Sequence, residues 1–106
     1  MGDIFYKGKD IIFTTQITKD GVLLPTSSFL DAYYVIGENS GNILVEKTLG
    51  AGITTIDANT FQTHIEDTDL NFSGEEYTHE FVVIDTNNHI LPPVFQRKLN
   101  IIKTLK

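Results

Sequence analysis

Cysteine and tryptophan are absent from this 106-residue chain, methionine occurs once, and proline only three times. Without cysteine the fold has no disulfide to staple it and no thiol to act as a nucleophile, so a hydrophobic core must hold it. Without tryptophan it lacks a common stacking surface for sugars. Long apolar runs are missing too: residues 81–84 form one of the longest, far short of the ~20 residues a membrane helix needs. Basic residues are few. Eight Lys and Arg stand against fourteen Asp and Glu, a net charge of −6, which argues against a phosphate-binding surface and so against nucleic acid. Met1-Gly2-Asp3 has neither the basic start nor the apolar stretch of a signal peptide. Tyr6 stands where a myristoylation motif after Gly2 needs Ser or Thr. The expectation is a soluble, unprocessed chain that spans no membrane.

Catalytic signatures are equally scarce. None of Ser27, Ser28, Ser40 and Ser73 lies in a Gly-x-Ser-x-Gly elbow. Gly8-Lys9 is followed by Asp10, where a phosphate loop needs Ser or Thr. His64, His79 and His89 lack the close, regular spacing and the additional ligands of a zinc site. His64 falls out of phase with Phe61, Thr63 and Ile65 and is expected to face solvent, whereas His79 is in phase with Tyr77, Phe81 and Val83 and is expected to be partly buried. The chain reads as a non-enzyme without a cofactor.

What the sequence does contain is alternation. From Ile11 to Thr18 apolar and β-branched residues take every second place, and Lys19-Asp20-Gly21 then supplies hairpin chemistry, with Gly21 suited to positive φ. Pro25 stops the short run Val22-Leu23-Leu24. Residues 29–36 form a strand with Leu30, Ala32, Tyr34 and Ile36 on one face and Phe29, Tyr33 and Val35 on the other. Further strands are expected over residues 43–49, 53–56, 61–65, 77–84 and 95–102, separated by Gly-, Asn- and Pro-rich breaks. Residues 68–73 suit at most one helical turn, with Leu70 and Phe72 plugging an end of the core. Roughly seven to nine short strands in one domain of 106 residues predict an all-β, Ig-like antiparallel sandwich. Its ordered core is expected over residues 4–102, with frayed ends.

Several residues invite a sharper reading. Glu66, Asp67 and Asp69 with Glu75 and Glu76 are a candidate calcium set of hard oxygen ligands, although no EF-hand spacing accompanies them. Tyr33, Tyr34, Phe61, Tyr77 and Phe81 are a candidate sugar platform, which would make the chain a carbohydrate or cell-surface binding module; their phase favours core packing. Asn71-Phe72-Ser73 is read as a chance match to a glycosylation acceptor. Gly74-x-x-Tyr77 entering the strongest strand matches a tyrosine corner, whose hydroxyl bonds to upstream backbone. Edge contacts are expected at Ile4 and Tyr6 and at Val22 and Leu24. Six acids with no Lys or Arg occupy residues 66–80, and four basic residues with no acid occupy residues 97–106, a pattern that suggests head-to-tail contact between copies.

The order of these elements resembles the small Ig-like β-sandwich proteins and domains of tailed bacteriophages and prophages, and is similar to the N-terminal domain of phage upper baseplate proteins. The resemblance rests on Lys19-Asp20-Gly21, Gly52-Ile53-Thr54, Ile56-Asp57, Phe61-Gln62-Thr63, Asp67-Thr68, Gly74-Glu75-Glu76-Tyr77 and Val83-Ile84-Asp85, in that order. Ala58-Asn59-Thr60 and Asn87-Asn88-His89 depart from it where the family has glycine. The resemblance implies a virion structural protein of a tail, baseplate or neck, assembled in the bacterial cytoplasm. Its expected partners are other phage structural proteins or further copies of itself.

Overall fold

A computed structural model describes residues 2–105, with every side chain in that span except that of Glu75. Among these residues the protein is all-β. Eight strands form one sheet: β1 (Asp3–Tyr6), β2 (Ile11–Thr15), β5 (Phe29–Glu38), β6 (Ile43–Leu49), β7 (Gly52–Asp57), β8 (Thr60–Ile65), β9 (Gly74–Asp85) and β10 (Phe95–Ile102). Their spatial order is β1-β10-β9-β5-β6-β7-β8-β2. The remaining pair, β3 (Thr18–Lys19) and β4 (Val22–Leu23), forms a separate hairpin. Its turn residues Asp20 and Gly21 have φ of 53° and 79°, the left-handed pair that a two-residue hairpin demands.

The large sheet folds back on itself. Phe13 on β2 meets Tyr34 on β5 at 5.1 Å between ring centroids, and Phe61 on β8 meets Phe81 on β9 at 5.9 Å. The fold line is the step from β6 to β7, where only Thr48 with Gly52 and Leu49 with Ile53 pair, in parallel. Gly50 and Gly52 at φ of 90° and 103° make that step possible, a backbone that side chains rarely adopt. The strands are therefore not all antiparallel, as alternation alone suggested: β1 also runs parallel to β10. Period-2 patterning sets which face is buried but carries no information on strand direction.

Alternation sorts the core as expected along most strands. Ile11, Phe13 and Thr15 turn inward on β2, and Ala32, Tyr34 and Ile36 on β5. One face assignment reverses. A bulge between Phe29 and Asp31 in the β5–β9 ladder puts Phe29 into the core and leaves Leu30 exposed. A turn of 3₁₀ helix occurs at Asp67–Asp69, overlapping the expected segment, and Leu70 behind it is fully buried. A second such turn, at Thr26–Ser28, exceeds the single one expected, because Pro25 opens it and Ser28 N–H donates back to Pro25 C=O.

Candidate functional site

Because β1 and β2 do not pair, the sheet stays open along one seam. A cleft of about 570 Å³ lies there, bounded by Asp3 and Phe5 of β1, Phe13 to Thr15 of β2, His79 of β9, and Phe95 and Arg97 of β10. At its base a chain of polar groups crosses four strands, β5, β9, β10 and β1. Tyr34 hydroxyl lies 2.8 Å from His79 Nδ1, and His79 Nε2 lies 2.7 Å from Asp3 Oδ2. Arg97 Nε donates to the same oxygen at 3.0 Å, and its guanidinium rests over the Phe95 ring at 4.5 Å. His79 is only 3% exposed, and Phe5 and Phe95 meet it edge-on.

These partners assign the protons. Asp3 can only accept, so His79 carries hydrogen on Nε2 and takes the Tyr34 hydroxyl on Nδ1. Burial holds His79 below its ordinary value; the bond to Asp3 works the other way, and Arg97 adds to the lowering. Partial burial acts to raise the Asp3 carboxyl, yet the His79 bond and the Arg97 charge bring it below the usual value. Tyr34 is pushed up by its burial, with the Asp3 charge adding to it. At neutral pH the cluster is thus a neutral phenol, a neutral imidazole and an Asp–Arg pair. It fastens the first strand to the core. Asp3, expected in a frayed end, is instead the anchor of β1, because its partners lie 76 and 94 residues away.

Among the described residues no group of three or more His, Cys, Asp or Glu is placed to hold a metal. Asp69 is occupied, with Lys47 Nζ at 2.7 Å from Oδ2, and it accepts Glu66 N–H at 2.8 Å on the same oxygen. Asp67 N–H is taken by Asp10 at 2.7 Å. Glu76 lies on β9, and the side chain of Glu75 is outside the described residues. Adding calcium and then chelator is expected to leave the thermal midpoint unchanged. A calcium-dependent rise would restore the acidic loop as a site.

Three of the five aromatics proposed as a sugar platform, Tyr34, Phe61 and Phe81, are buried in the core. Tyr77 is half-buried against Phe72, and its hydroxyl donates to Ser73 C=O at 3.0 Å, across a corner where Gly74 has φ of 155°. Tyr77→Phe removes this one bond and is expected to cost about 1 kcal/mol in a denaturant titration. A change below a few tenths would mean that the corner holds without it.

The edge residues separate into two groups. Ile4 and Tyr6 are about half exposed on β1, a true sheet edge, and Val22 is exposed on the small hairpin. Leu24, in contrast, lies beyond β4 and packs on the core, since its N–H donates to Ile17 C=O and draws it inward. The other end of the large sheet is β2, whose residue types do not mark it as an edge. The acidic and basic segments meet within one chain, because β9 and β10 pair: Glu80 opposes Gln96 and accepts its amide at 3.2 Å, while Arg97 opposes His79. No described helix is long and apolar enough to cross a membrane. No family model matches the chain, and no curated protein aligns with it.

Proposed function

We propose that this chain is a non-enzymatic Ig-like β-sandwich that serves as a tail, baseplate or neck component of a tailed bacteriophage or prophage, acting by protein–protein contact. The observation that carries the reading is the strand order. With β2-β8-β7 taken as one layer and β10-β9-β5 as the other, the order is that of strands B-E-D facing G-F-C, and β6 adds a strand beside C. The Tyr77 hydroxyl bonded to Ser73 C=O at the start of β9 sits where such sandwiches carry their tyrosine corner. The phage assignment draws on the ordered turn and strand residues 19–21, 52–57, 61–63, 67–68, 74–77 and 83–85. Both ends of the large sheet are left as edges, which gives such a domain a physical means of contact.

The test is mass spectrometry of purified particles induced from the host that carries this gene. The protein is expected at a stoichiometric level with known structural components. Its absence from the particles, with abundant protein in the lysate, would overturn the virion assignment.

A further inference from the structure

The two edges of the large sheet are guarded differently. β1 is four residues long, carries the paired Asp3, and is followed by Lys7 and Lys9. Lys9 and Asp10 precede β2, but the strand itself has no such protection. Residues 11–18 contain no charge, proline or glycine. The pairing of β2 with β8 runs without a bulge from Ile11 with Ile65 to Thr15 with Phe61. Its outer side makes no backbone hydrogen bond among the described residues. Natural edges are normally blunted by charge, proline, a bulge or a covering segment, because a bare ladder templates another strand.

We propose that β2 is a self-association edge: two copies join antiparallel, β2 to β2, about a two-fold axis at Phe13. The strand is self-complementary in that arrangement. Ile11 falls opposite Thr15 of the second copy, Ile12 opposite Thr14, and Phe13 opposite Phe13, so every pair is apolar or β-branched and no like charges meet. Ile12, 59% exposed in the single chain, gains a cross-strand neighbour. The open seam supplies room, since the 570 Å³ cleft runs beside Phe13, Thr14 and Thr15 on the unpaired side of the strand. A C2 contact of this kind closes on itself, so it yields a dimer and not a fibre. It also differs from a charge-driven head-to-tail contact in its salt response. Each copy carries −6, so screening relieves repulsion and the β2 dimer holds or tightens as salt rises.

This proposal does not depend on the virion assignment. It is tested by sedimentation velocity and light scattering of the full chain over a concentration series, at low and high salt. The comparison is with the double variant Ile12→Lys, Thr14→Lys, whose two side chains point outward and are exposed, with circular dichroism checking that the fold survives. The wild type is expected to dimerise, and the variant, which sets lysine against lysine across the axis, to bind itself at least ~10-fold more weakly. Amide exchange over residues 11–15 should slow as the wild-type concentration rises. A wild type monomeric up to ~100 μM, a variant that dimerises equally well, or a dimer in which exchange at residues 11–15 is unchanged would each overturn the proposal.

Discussion

Phe81→Ala is expected to lower the free energy of unfolding by about 3–5 kcal/mol, the range for removing a fully buried phenylalanine. Phe81 occupies the middle of the inner face, directly opposite Tyr34 on β5 and Phe95 on β10. Its ring stacks on Phe95 at 6.2 Å and meets Phe61 of the facing layer at 5.9 Å. Three strands and both layers thus converge on one side chain. Truncation would leave a void that these neighbours cannot fill without breaking their own pairings, so a cavity cost adds to the lost transfer free energy. Against the ~5–15 kcal/mol that holds a small domain, such a loss brings the chain close to unfolding. Denaturant titration reads it directly. A cost below about 1.5 kcal/mol would mean that the layers collapse into the space, and the seam at β1 and β2 would be where they yield.

The second large effect belongs to His79. His79→Ala is expected to cost about 3 kcal/mol at neutral pH, because it leaves the buried Tyr34 hydroxyl without its acceptor and removes an imidazole packed against Phe5, Tyr34 and Phe95. The pH dependence follows from the direction of its shift. The folded-state pKa of His79 lies below the unfolded value of 6.5, so below 6.5 the unfolded chain takes up a proton that the folded one resists. Stability from this source is complete above pH 6.5 and falls as the pH drops from there toward the folded value. Asp3 is also lowered, from 3.8, so its contribution is present above that value and is lost at lower pH still. Two windows are therefore expected, the first owed to His79 and the second to Asp3. Thermal midpoints of wild type and His79→Ala between pH 7 and 5 should converge as the pH falls. Parallel curves would dissociate the imidazole from the loss.

Both residues show how far pattern alone reaches. The inward phase of Phe81 and His79 was legible, because side chains on a strand alternate strictly and polar neighbours mark the other face. The role of His79 was not. Its partners Tyr34, Asp3 and Arg97 lie on three other strands, and no local spacing links them. The acidic loop shows the same limit in reverse: among the described residues its acids form no group placed to hold a metal, and Asp69 pairs with Lys47, more than twenty positions away, which no local spacing announces. Phe29 and Leu30 exchanged faces because a single bulge reverses the phase of everything before it, and nothing in their residue types announces a bulge.

By itself, the sequence determined an all-β chain: alternation places the core residues, Asp20 and Gly21 set the hairpin, and Gly74 with Tyr77 sets the corner. These are local properties, decided by side-chain period and by which residues tolerate positive φ. Tertiary structure alone decided that β1 runs parallel beside β10, that the sheet folds at Gly50 and Gly52, and that β2 is left as a bare edge. Strand order and direction depend on which backbone ladders are completed between distant segments, and a two-residue period is identical for every neighbour a strand can have.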